Sequence, residues 1–159
     1  MKKFLIINNI NAACYKDVFP YIKRGEMWLG LGKEGMNFLI NGEIGKVSTA
    51  CWFTNLDNLK YKKPLNLVKR YSPEAYPRYD NFPAIEVSKT KNIPLDYTGV
   101  MGVPLTFLFK YHPAQFEIVG GLNDYKEADA EAGLLIGEDV TYTEKNGRVR
   151  QFRGGGYRW

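Results

Sequence analysis

The stretch Ala50-Cys51-Trp52-Phe53-Thr54-Asn55-Leu56 decides how this chain is read. Apolar, β-branched and aromatic residues with no glycine or proline favour an extended strand, and this one carries two flat rings towards its own end. Side chains alternate across a strand, so Trp52 and Phe53 point to opposite faces and at most one can meet a ligand. Both filling a core is the other reading. Asn55 offers a carboxamide that could read a base edge, or equally cap a turn.

The character of the sequence changes at once after this strand. Between Lys60 and Arg78, six basic residues (Lys60, Lys62, Lys63, Lys69, Arg70 and Arg78) stand against Glu74, with Tyr61, Tyr71 and Tyr76 interleaved and Tyr79 just beyond. Cations along a track and rings open for stacking are what a nucleic-acid surface needs. A merely solvated loop has the same composition. Near the end of the chain, Lys145, Arg148, Arg150, Arg153 and Arg158 surround an Asn146-Gly147 turn and the Gly154-Gly155-Gly156 run. They form a second candidate contact with phosphate or groove. Between these basic segments, Asp124 to Asp139 is acidic, and such a patch repels nucleic acid.

Upstream, Lys3 to Ile7 is a short continuous apolar run, the pattern of a strand in a parallel sheet covered on both faces. Asn8 to Asn11 then reads as a turn. Apolar positions recur every three or four residues from Ala12 to Lys23, which predicts a short amphipathic helix with Pro20 near its end. Ligands gather at the carboxyl ends of strands in such α/β units, which singles out Asn9 and Asn11. Met27 to Leu31 and Met36 to Ile40 predict strands, and Asn41-Gly42 is a hairpin turn leading into Ile44 to Phe53. Further on, Phe82 to Val87 predicts a strand, Gly99 to Pro104 a turn, and Leu105 to Tyr111 a helix or strand. Phe116 to Val119 is another strand, and Val140 to Thr143 pairs with Val149 to Phe152 across Asn146-Gly147.

Gly30-Leu31-Gly32-Lys33-Glu34-Gly35 matches a dinucleotide fingerprint, but that mechanism needs a helix directly after the glycines. The following residues predict a strand instead. Cys14, Cys51 and His112 are the only cysteines and histidine, too few for a four-ligand zinc site, and both thiols are expected to be reduced. With 159 residues, 45% of them hydrophobic, the chain has enough material for one core. Its net charge of +5 favours polyanionic partners. No apolar run approaches the length of a membrane span, so a cytoplasmic protein with no membrane partner is expected.

The Cys-Trp-Phe-Thr-Asn-Leu strand resembles that of the EcoRI-type adenine-specific DNA methyltransferases, in the carboxy-terminal half of the family's sequence. Other stretches resemble the family in the same order: Lys3 to Ile7 with Asn9 and Asn11-Ala12, Tyr15 to Pro20, Trp28-Leu29-Gly30, Tyr76 to Asn81, and Asp96 to Pro104. The resemblance implies an α/β fold: part of a class I methyltransferase-like sheet over residues 1–59, joined to a β-rich, basic target-recognition region over 60–159, in a single domain. It implies double-stranded DNA as partner, and an aromatic residue of the 50–56 strand facing an adenine flipped from the duplex. Members of the family hold S-adenosylmethionine in an amino-terminal glycine-bearing loop and grip adenine with an Asn/Asp-Pro-Pro-aromatic motif. No two of the eight prolines here are adjacent, so that motif is absent. The expectation is therefore a DNA-binding half of an adenine-N6 methyltransferase, inactive alone. It would have no cofactor in this chain unless a second protein chain completes the site, a homo-oligomer being the other possible assembly. The rival expectation is a phage-encoded protein inhibitor of a nucleic-acid-handling defence system, built from a methyltransferase fragment.

Overall fold

The structure, a computed structural model, describes residues 2–30, 35–57, 63–121, 141–151 and 155–158. Their fold is mixed α/β, rich in strands with few helices. Strand β1 (Leu5–Asn9) runs into a 3-10 turn (Ile10–Cys14) and helix α1 (Phe19–Lys23). Strands β2 (Trp28–Leu29), β3 (Met36–Ile40), β4 (Glu43–Val47) and β5 (Ala50–Thr54) follow. After the basic arm come β6 (Ala84–Glu86), β7 (Val100–Val103), a 3-10 helix (Leu105–Phe109) and β8 (Glu117–Gly121). The hairpin β9 (Thr141–Thr143) and β10 (Val149–Gln151) precedes β11 (Gly155–Arg158).

Two larger sheets organise these elements. One has the order β1-β5-β2, and the other β6-β7-β11-β8. Pairing within the first is antiparallel, so β1 and β2 run in the same direction on either side of a reversed β5. In the second, β6 and β7 are parallel. The hairpin β3-β4 turns at Asn41 and Gly42, with φ of 51° and 86°, the left-handed pair that a two-residue turn of this type requires.

The core draws on both larger sheets and on the helical segments beside them. Ile10, Phe19 and Ile22 from the start, Leu29 and Phe53 from the first sheet, Ile85, Met101 and Ile118 from the second, and Phe107 and Phe116 from the segment between β7 and β8 form one cluster. Phe107 sits at its centre, meeting Phe116 edge to face at a centroid distance of 5.1 Å.

Several expectations from the sequence need correction. The apolar run at the start is a strand, yet it is neither buried nor in a parallel pair. Leu5, Ile6 and Ile7 are 53, 52 and 43% exposed because β1 is an edge strand, with a neighbour on one side only among the described residues. The helix expected over Ala12 to Lys23 is broken in two. Proline is tolerated in a helix's first turn and not in its interior, so α1 begins just before Pro20 instead of running through it. Gly99 to Pro104 is largely strand β7, whose small residues Gly102 and Val103 lie opposite Gly156 and Gly155 of β11. The strand expected over Phe116 to Val119 runs as β8 through Gly120 and Gly121, which pair with the same two glycines. Asp124 to Asp139 lies outside the described residues.

Candidate nucleic-acid interface

The arm from residue 63 onwards has almost no ladder hydrogen bonds, and side chains hold it instead. Leu65 and Leu67 pack inward against the core while Lys63, Asn66, Val68, Lys69 and Arg70 face solvent, an alternation typical of an extended chain. The Gln115 carboxamide accepts from the Leu65 backbone N–H at 2.7 Å and donates to its carbonyl at 2.9 Å, imitating a strand neighbour. Further along, Lys69 bridges to Pro94, Leu95 N–H donates to the Lys69 carbonyl at 2.9 Å, and Asp96 Oδ1 accepts from Tyr71 N–H at 2.8 Å.

The tyrosines of the arm divide into two kinds. Tyr76 and Tyr79 are buried, so they are not the open stacking rings that the sequence suggests. The Tyr76 hydroxyl donates to the Asn92 carbonyl at 2.7 Å, and the Tyr79 hydroxyl donates to the Glu86 carboxylate. Burying these rings costs little once their hydroxyls find acceptors. Tyr71 is half-buried, stacked on Tyr76 and tilted against Tyr97, with centroids 5.9 and 4.7 Å away.

The basic hairpin β9-β10 is fastened to the same arm. Tyr79 and Tyr142 form an antiparallel bridge, Asp80 N–H donates to the Thr141 carbonyl at 2.7 Å, and Thr141 N–H donates to Asn81 Oδ1 at 3.0 Å. Residues more than sixty apart in sequence therefore line one cleft of about 550 Å³, where Arg78 and Lys145 stand with Glu74, Glu86 and Glu144. Burial pushes the Glu86 carboxyl above the ordinary carboxylate range, and the Tyr79 hydroxyl only partly opposes this. Sequence reasoning missed Glu86, Gln115 and Asp96. No pattern around these residues marks them, because their partners come from distant segments.

The exposed cations are not equally available. Arg148 and Arg150 both stand in the hairpin, but Arg150 Nε donates to Glu144 at 3.0 Å. Arg70 faces Asp96 at 3.5 Å. Such exposed pairs are worth little and exchange readily with a phosphate. Lys60, Lys62, Arg153 and Tyr61 lie outside the described residues.

The sheet β1-β5-β2 supplies the other candidates. Phe53 belongs to the core, whereas Trp52 is half-buried on the opposite face, beside Ile7 across the ladder. Gly30 packs so close that a Cβ there would stand 2.7 Å from the Trp52 Cβ, fixing the backbone beneath that ring. Asn55 is hydrogen-bonded within the fold. Its Oδ1 accepts from Phe4 N–H and its Nδ2 donates to the Lys2 carbonyl, both at 2.8 Å, clamping the segment that enters β1. Asn9 caps the 3-10 turn by accepting from Asn11 N–H at 2.9 Å, and its amide reaches Thr49 Oγ1 at 3.0 Å.

No covalent chemistry is poised among the described residues. Burial pushes the Cys51 thiol up to about 11 and also raises Cys14, so both stay protonated at neutral pH. His112 Nδ1 accepts from Ala114 N–H in a turn. The described residues contain no cluster of ligands able to hold a metal ion, and no helix long and apolar enough to cross a membrane. Of the Gly30–Gly35 segment, residues 31–34 lie outside the described residues. Gly35, at a φ of 87°, leads straight into β3, so no helix start is there to face a ligand.

Residues 1–153 match the family described as "Adenine-specific methyltransferase EcoRI". The chain belongs to this family. Among curated relatives, it is 45% identical to the type II methyltransferase M.EcoRI of Escherichia coli, over 74% of this chain and 42% of the relative. It is 36% identical to M.MgeORF184P of Mycoplasma genitalium, over 80% of this chain and 47% of the relative. It is 35% identical to M.MpnI of Mycoplasma pneumoniae, over 96% and 53%. The chain thus spans about half the length of the curated relatives it matches. No solved structure matches it significantly.

Proposed function

We propose that this chain is the DNA-binding, target-recognition half of an adenine-N6 DNA methyltransferase, inactive without the remainder of the enzyme. Its double-stranded DNA surface is formed by the arm cations Lys63, Lys69, Arg70 and Arg78 with Arg148 and Arg150 of the hairpin. The observation that carries the reading is the bridge from Tyr79 to Tyr142, which fastens the hairpin bearing Arg148 and Arg150 to the arm beside Arg78, although the sequence separates them widely.

Membership of the methyltransferase family supports the same reading. So does the core, which joins residues 10 to 118 in one cluster and favours a single folding unit made of a class I-like half-sheet and a recognition region. Trp52 is the ring left to face a flipped base, since Phe53 is committed to the core. S-adenosylmethionine would be held by residues that this chain does not contribute. Each relative is named as a methyltransferase, and nothing favours an inhibitor.

Titration of a fluorescently labelled duplex tests the proposal. Binding is expected at low ionic strength and should fall linearly on a log-log plot against salt. Removing one phosphate contact, by Arg78→Ala or Arg148→Ala, should reduce that slope by about 0.9. No salt-dependent binding at low ionic strength overturns the DNA assignment.

A further inference from the structure

We infer that the ribbon β3-β4 enters the major groove of the duplex and lays Leu39 and Ile44 against thymine methyl groups. The inference rests on the functional reading above and adds an apolar contact outside the basic arm. Its first support is exposure. Ile44 and Leu39 are 78 and 75% exposed, the two most exposed large apolar side chains among the described residues. They are direct partners across the ladder, so both stand on one face of the ribbon.

The ribbon pairs with no other strand among the described residues. Two strands alone are marginal in water and gain from lying against something. One face is already partly covered, since Met36, Phe38 and Gly45 are half-buried and Ile40 lies close over Gly45. The other face carries Leu39 and Ile44 towards the turn and the cross-strand pair Asn37 and Lys46 behind them, all four exposed.

The chemistry of that outer face selects its occupant. Lys46 is its one charge, and the ribbon's carboxylate, Glu43, stands opposite Ile40 on the other face. A cation at the base and apolar groups near the turn complement phosphate at the groove wall and base edges within it. The major groove, about 12 Å wide, admits a two-stranded ribbon, and there thymine presents a methyl group while adenine presents the donor and acceptor that a carboxamide such as Asn37 matches. An A·T pair therefore suits both kinds of side chain on this face.

Topology puts the ribbon on the side where a substrate would lie. Gly35 N–H donates to the Ala50 carbonyl at 3.2 Å, which fixes the base of the ribbon to the start of β5. Ala50 is paired with Asn9, at the carboxyl end of β1, and Thr49 accepts there from Ile10 N–H at 2.7 Å and from the Asn9 amide at 3.0 Å. In open α/β sheets ligands lie beyond the carboxyl ends of the parallel strands.

The test titrates this chain into two labelled duplexes of alternating A·T pairs, one with thymine and one with uracil, which lacks the C5 methyl. The parent should bind the thymine duplex more tightly, by about fourfold for each methyl covered. Leu39→Ser and Ile44→Ser should each reduce that preference, with affinity for the uracil duplex and the salt slope unchanged. Both variants should remain folded by circular dichroism, because the positions already meet water. Ile40→Ser, near the same turn but on the other face, should keep the thymine preference. Salt-dependent binding without a thymine preference in the parent, or an undiminished preference in both outer-face variants, overturns the inference and leaves the basic DNA surface standing. Binding to neither duplex at low ionic strength overturns the functional reading and the inference with it. Sedimentation showing a parent dimer that Leu39→Ser separates also overturns it, by giving this face to a second copy of the chain.

Discussion

Strand β1 and the arm from residue 63 to residue 80 are held in opposite ways. β1 has a full backbone ladder on one side, yet its apolar side chains stand in water. The arm has hardly any ladder, yet Tyr76 and Tyr79 are inside, its backbone is tied down by Gln115 and Asp96, and the Tyr76 hydroxyl fastens it to the Asn92 carbonyl. A ladder gives a strand its direction and register but does not supply cover. Side-chain bonds to backbone can order an irregular segment and keep its charges outward, which suits a binding surface.

The largest test of that contrast compares two apolar truncations. Phe107→Ala, at a fully buried site, should cost about 3–5 kcal/mol in chemical denaturation, and Ile7→Ala should change stability by no more than about 0.5 kcal/mol. Similar losses at both sites would mean that β1 is already covered. A smaller effect sharpens the other side of the comparison. Gln115→Ala removes both bonds to Leu65 and should cost about 1–2 kcal/mol, with faster exchange at the Leu65 amide and unchanged exchange in β1.

The smallest effect concerns the cleft. Burial raises the folded-state pKa of Glu86, so its protonated form is favoured by folding. Its contribution to stability is complete below the ordinary carboxylate range and is lost as pH rises through the raised value. Glu86→Gln, uncharged throughout, should therefore be more stable than the parent near neutral pH, and the two should converge in acid. Denaturation midpoints across that range check the sign, and an advantage for glutamine that grows in acid would reverse it.

Much of the strand framework was legible because it follows local rules. The hairpins at Asn41-Gly42 and Asn146-Gly147, and the strand from Ala50 to Thr54, come from turn chemistry and composition alone. What misled is equally instructive. The run Leu5 to Ile7 has the composition of a covered strand, and its exposure depends on a neighbour that composition cannot see. Tyr76 and Tyr79 look like stacking rings in a basic sequence, but their hydroxyls meet Asn92 and Glu86, partners that only the tertiary fold brings near. Asn55 looked able to read a base, and the segment that it clamps is about fifty residues away.

Hydrogen exchange of the isolated chain with and without duplex DNA at low salt tests the central claim most directly. Slower exchange should appear in the arm around Lys69 to Asp80 and in the hairpin from Thr141 to Gln151, with β1 unchanged. Protection confined to β1, or absent from both basic segments in a chain that still binds DNA, would contradict the assignment of the arm and hairpin as the surface that meets nucleic acid.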